Sequence, residues 1–127
     1  MVDDRLEGQV RDFLAELATF LDFERYSFKV GDLLANPQWP WGYEHGFYCF
    51  VASGEVVYVG RALGSTLGER ISDQLLSTSD PGWARVVTDP DNCVEIFAVD
   101  AGHAYVASAL EAYLIDRIQP RFNKRKQ

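Results

Sequence analysis

The chain has 127 residues, the size of one domain, and 47% of them are hydrophobic, enough to bury a core. No apolar run approaches the roughly 18 residues a membrane span needs. The opening Met1-Val2-Asp3-Asp4-Arg5 lacks the basic-then-apolar order of a secretory signal, so the expectation is a cytoplasmic protein with no membrane partner. A net charge of −7 argues against a general nucleic-acid binder, but the charge is uneven. Residues 1–47 hold nine acids and four bases (−5), and residues 48–127 hold ten acids and eight bases (−2). Five of those eight bases, Arg117, Arg121, Lys124, Arg125 and Lys126, crowd the last eleven residues. That tail reads equally well as a solvated terminus or as a phosphate-contacting patch.

The segment from Asp4 to Leu21 is predicted to be a helix. Val10, Phe13, Leu14, Leu17 and Leu21 recur at three- and four-residue steps, with acids on the other face. Its apolar stripe must pack on the domain or on another chain. Phe23 to Val30 reads as a short strand or an extended link. Residues 31–45 form an irregular connection in which Pro37 and Pro40 break regular structure, and Trp39 and Trp41 are expected to cover the core.

Phe47 to Ala52 and Glu55 to Val59 are predicted strands joined by a Ser53-Gly54 turn into a hairpin. A capping box, Thr66-Leu67-Gly68-Glu69, starts a helix that runs through Ile71, Leu75 and Leu76. Residues 77–92 are rich in turns, with a short helix expected at Trp83 to Val87. Val94 to Val99 is a third strand, and a last helix runs from about Ala104 to Ile118, stopped by Pro120. Cys49 and Cys93 lie in strand-like runs and read as small buried residues; a zinc site would need more ligands at closer spacing. The predicted fold is α+β. A small central antiparallel three-stranded sheet is flanked by helices in the order β-β-α-(α)-β-α, with an extra N-terminal helix.

Within the hairpin, Tyr48 and Tyr58 are ten residues apart. A two-residue turn at Ser53-Gly54 sets Tyr48 opposite Val59 and Tyr58 opposite Cys49, which sends the phenols to opposite faces. A three-residue turn centred on Ser53, or a bulge, sets the two tyrosines opposite each other on one face. Both registers are open at this point.

From Gly46 to Asn123, about 80 residues, the sequence resembles the GIY-YIG endonuclease domain family. Gly46-Phe47-Tyr48 stands where that family has its GIY element, and Tyr58-Val59-Gly60 where it has YIG. Arg70 falls where the family carries its helix arginine, and Glu111 where it carries a single metal-binding glutamate. Pro120-Arg121-Phe122-Asn123 looks like its closing element. Arg61 takes the place of a lysine that some members have directly after YIG. The resemblance makes residues 46–127 a nuclease-like domain, with residues 1–45 an N-terminal helical extension and a Trp/Pro-rich connection outside it.

The resemblance implies a divalent-metal-dependent endonuclease, with DNA the expected substrate. Glu111 would hold Mg²⁺ or Mn²⁺, and a cation bound by one carboxylate keeps most of its waters. Arg70 would contact the scissile phosphate through its planar, always-charged fork, although its spacing from Asp73 also suits an ordinary helix ion pair. Tyr48 and Tyr58 would activate or position water. A free phenol, with a pKa of about 10, is a poor base unless cations lower it. Gly60, Arg61 and Asn123 would support the site.

Two departures point to an alternative. One turn after Arg70, where many members carry histidine or tyrosine, stands Gln74, which cannot be a general base. His45, read as an exposed loop residue, could stand in for it; His103, at a helix start, reads as a capping or surface residue. The chain is also acidic where an unaided nuclease presents a basic face. The alternative is a catalytically weakened or inactive module of this fold. It would bind nucleic acid, or a protein partner through the acidic N-terminal helix.

Overall fold

The computed structural model describes residues 8, 9, 11, 12, 15, 24–36, 38–99, 102 and 104–123. Gly8, Gln9, Arg11, Asp12 and Ala15 are helical, but the apolar stripe predicted for that segment lies outside the described residues, as do His103 and the basic residues 124–126. From residue 24 the elements follow in order: β1 (Glu24–Lys29), α1 (Val30–Ala35), a 3-10 turn (Pro40–Tyr43), β2 (His45–Ala52), β3 (Glu55–Ala62), α2 (Leu67–Leu76), α3 (Pro81–Thr88), β4 (Cys93–Val99) and α4 (Ala104–Ile118).

The four strands form one antiparallel sheet in the order β1-β4-β2-β3. The predicted count of three strands is corrected by β1, whose alternating Tyr26 and Phe28 pack on the core beside β4. Strand β1, Leu33 and Trp41 are therefore built into the same sheet and core as the residues after them.

Each face of the sheet takes its own helices because side chains alternate along a strand. Tyr48, Phe50, Val94 and Ile96 point to one face, where Leu33, Trp41, Leu67, Ile71, Trp83 and Val87 cover them. Phe47, Phe97 and Val99 point to the other, against Ala107, Leu110 and Leu114 of α4. Trp41 is buried as expected, and Trp39 stacks on it with ring centroids 5.3 Å apart.

The helix starts follow their local chemistry. The Thr66 hydroxyl accepts from the Glu69 amide at 3.2 Å, and the Glu69 carboxylate accepts from the Thr66 amide at 3.1 Å. Asp80 caps α3 by accepting from Gly82 N at 2.8 Å, so that helix begins at Pro81, two residues before the predicted start.

The hairpin takes the bulged alternative and puts both tyrosines on one face, though not directly opposite each other. Ser53 (φ 53°) and Gly54 (φ 76°) form a two-residue turn with both residues in the left-handed region. Val51 faces Val56, but Phe50 faces Tyr58, so Val57 is one extra residue on β3. The bulge moves every later pair by one position. Tyr48 ends up opposite Gly60, and Tyr58 two residues along on the same face, with the two rings 6.2 Å apart.

Two glycines permit this packing. A Cβ on Gly46 would fall 2.0 Å from the Phe97 carbonyl oxygen, and one on Gly60 would fall 2.5 Å from Cζ and Oη of Tyr48. Gly46 lets β2 and β4 meet, and Gly60 leaves the space that the Tyr48 ring fills.

Candidate functional site

One end of β3 and one side of α4 enclose an open cleft of about 1160 Å³. Tyr58, Arg61, Arg70, Glu111 and Asn123 all line it, although they come from β3, α2, α4 and the closing segment. Tyr48, Gly60 and Gln74 do not line it and lie behind Tyr58 instead.

Arg61, paired with Phe47, leaves β3 on the face that α4 covers and reaches that helix. Its Nη1 is 3.5 Å from Glu111 Oε1 and also donates to the Ser108 hydroxyl. Ser108 and Glu111 are three residues apart, so one helix face presents both oxygen donors. The Glu111 side chain retains 16% exposure and that of Arg61 50%, which places the ion pair at the cleft wall. Arg70 is half-buried on α2 and makes no ion pair among the described residues, so the predicted alternative pairing with Asp73 does not form.

Tyr48 is fully buried, and its hydroxyl has no hydrogen-bond partner among the described residues. Burial pushes its pKa well above the ordinary phenol value and the neighbouring Tyr58 adds to the rise. Arg70 and Gln74 lie near enough to oppose the shift without meeting ordinary hydrogen-bond geometry. Tyr58 is half-buried, faces the cleft and sits 3.5 Å from the Gln74 amide nitrogen. Gln74 is held in turn through its backbone carbonyl, which accepts from the Trp83 indole at 2.8 Å.

Asn123 binds the sheet edge. Its Oδ1 accepts from Val59 N at 2.7 Å, and its Nδ2 donates to Val59 O at 2.7 Å, while Phe122 N donates to Val57 O at 2.9 Å. The closing segment thus covers the open edge of β3, and the amide of Asn123 mimics a strand partner.

His45 corrects the expectation of an exposed loop residue. It begins β2, is half-buried, and its Nδ1 lies 2.9 Å from the Ser65 carbonyl oxygen, a contact that requires the proton on Nδ1. It does not line the cleft. The polar cleft residues that sequence reasoning missed include Ser108 and Asp116. The spacing of Ser108 from Glu111 was the signal available for the first; Asp116 carried none.

Among the described residues, no group of three or more His, Cys, Asp or Glu side chains is placed to hold a metal ion, and no helix is long and apolar enough to cross a membrane. No protein-family model and no curated protein matches the chain. Solved structures do. The GIY-YIG N-terminal endonuclease domain of UvrC from Thermotoga maritima superposes with a TM-score of 0.50 at 27% identity, in a tyrosine-to-phenylalanine form bound to its catalytic divalent cation. An asparagine-to-alanine form of the same domain, also bound to its cation, matches with a TM-score of 0.50 at 26% identity. Each alignment covers 68% of this chain and 89% of that one.

The chain is a structural homologue of the GIY-YIG endonuclease domain. Its antiparallel α+β architecture is that of a GIY-YIG-like domain.

Proposed function

We propose that this GIY-YIG-like chain binds the phosphodiester backbone of a nucleic acid, with DNA the first choice, and hydrolyses it weakly or not at all. The observation that carries this reading is the Arg61–Glu111 ion pair. The glutamate that the family resemblance assigns to a metal already faces a cation of the protein. Arg70, without a carboxylate partner among the described residues, is left to receive a phosphate. Gln74 offers no titratable group, and the Tyr48 phenol is held neutral by burial. Residues 46–127 would carry the activity on a sheet completed by β1. The acidic N-terminal segment would dock a protein partner that delivers to its nucleic acid a cleft in which Arg61 and Arg70 are balanced by Glu111 and Asp116.

The endonuclease reading keeps one specific support, the convergence of Tyr58, Arg61, Arg70, Glu111 and Asn123 on one cleft. The donor set also fits a hard divalent cation. Glu111 and the Ser108 hydroxyl are oxygen donors on one helix face, and the open cleft leaves room for the waters that Mg²⁺ or Mn²⁺ retains. Such a cation, when bound, would supply charge stabilisation and a more acidic water. Arg70 would orient the phosphate, Tyr58 would hold the water in place, and Asn123 would fix the backbone beside Tyr58.

The deciding experiment measures binding and nicking together, on plasmid, single-stranded DNA and RNA, with and without Mg²⁺ or Mn²⁺. Binding that persists without metal and that Arg70→Ala weakens, with no nicking, is the expected result. Metal-dependent nicking that disappears in Glu111→Ala would establish the endonuclease and overturn the weakened module.

A further inference from the structure

We propose that Arg61 is a latch on the metal-binding carboxylate: it competes with a divalent cation for Glu111, and a phosphodiester entering the cleft releases it. The inference rests on the phosphate-binding reading above and adds an order of events to it.

The geometry has three parts. Arg61 Nη1 lies 3.5 Å from Glu111 Oε1 and donates to the Ser108 hydroxyl, so the guanidinium touches both oxygen donors that a hard cation would use on α4. A guanidinium and a hydrated divalent ion cannot both neutralise one carboxylate edge at close range, so occupancy by one weakens the other. The latch is also releasable. Arg61 sits at the end of β3 with half of its side chain exposed, and the same open cleft holds Arg70. A phosphodiester bound at Arg70 offers Arg61 a second bidentate acceptor, of the same single negative charge as the glutamate, within one cleft.

Binding coupled this way is reciprocal, so phosphodiester must raise metal affinity by the factor by which metal raises phosphodiester affinity. The latch would keep a cation off Glu111 when no nucleic acid is present. It also assigns Arg61 a positioning role different from that of Arg70, although the cleft presents both as arginines.

The test measures Mn²⁺ affinity by electron paramagnetic resonance of the free ion on the full chain, with folding checked by circular dichroism. Arg61→Gln should bind Mn²⁺ roughly three- to tenfold more tightly than the unsubstituted chain, the range expected for releasing a half-exposed ion pair. Arg61→Lys, which keeps the charge, should retain weak binding, and Glu111→Gln should lose it. Arg70→Gln separates contact from field, because it removes an equal charge from the cleft without touching Glu111. Its Mn²⁺ affinity should change less than that of Arg61→Gln. Adding a thymidine dinucleotide should tighten Mn²⁺ binding in the unsubstituted chain and do little in Arg61→Gln.

Equal gains in Arg61→Gln and Arg70→Gln, or no gain in Arg61→Gln, would overturn the latch. Unchanged Mn²⁺ binding in Glu111→Gln would overturn it as well, by removing the carboxylate from the metal site. Failure of the phosphate-binding reading looks different: the dinucleotide would bind no more weakly to Arg70→Gln than to the unsubstituted chain, whatever the Mn²⁺ affinities.

Discussion

Asn123→Ala should destabilise the fold and loosen the cleft, because this side chain is a backbone partner and not a ligand. Two hydrogen bonds of 2.7 Å join it to the amide and carbonyl of Val59, a residue with no solvent exposure. Losing two neutral hydrogen bonds removes about 1–3 kcal/mol, and leaving the Val59 amide dry and unpaired adds about 1–3 kcal/mol more. Water entering from the cleft side would recover part of that, so the expected loss is about 2–4 kcal/mol. For a domain of ordinary stability, about 5–15 kcal/mol, this is a large fraction. Urea denaturation should show a midpoint lower by about 1–2 M with an unchanged slope. Native-state hydrogen exchange should show the Val59 amide accelerated more than amides on β4. Asn123→Asp should fare little better, since it keeps the acceptor for Val59 N but sets a charge against Val59 O. A stability change below about 0.5 kcal/mol, the level of an ordinary surface substitution, would refute the bracing role.

Gly60→Ala should cost about 1–3 kcal/mol or more, since the new methyl would meet the buried Tyr48 ring at 2.5 Å; thermal melts of the variant test this. Arg70→Ala should weaken oligonucleotide binding across sequences and reduce the salt slope by about 1, measured by fluorescence anisotropy at several salt concentrations. Stability should fall at high pH. Burial pushes the Cys49 thiol up to about 12 and raises the Tyr48 phenol too, so in alkali the unfolded chain loses these protons before the folded one does. The stability they contribute is intact below the unfolded pKa values of about 8.5 and 10. It declines as pH rises through each window, up to about 12 for the thiol. Urea midpoints taken from pH 8 to 11 should fall, and Cys49→Ala should remove the part that begins nearest pH 9.

The strand and helix pattern after residue 45 was legible because each element carries its own local instruction. The capping box at Thr66, the turn at Ser53-Gly54 and the stop at Pro120 act within a few residues of their own positions. The choice of Tyr48, Tyr58, Arg61, Arg70, Glu111 and Asn123 as residues of interest likewise came from sequence order, through resemblance. How these side chains meet did not. The bulge at Val57 placed both tyrosines on one face, and nothing local to β3 announces it. It follows from packing Val57 and Tyr58 into the same core, a demand set by α2 and α3. Edge strand β1 is ambiguous in sequence between strand and link because its pairing partner, β4, lies about 70 residues away. The sequence alone thus singled out Tyr58, Arg61, Arg70, Glu111 and Asn123, which line one cleft. Only tertiary structure decided that Arg61 rests on Glu111, that Asn123 holds the sheet edge and that Tyr48 is buried, because each depends on the close approach of groups far apart along the chain.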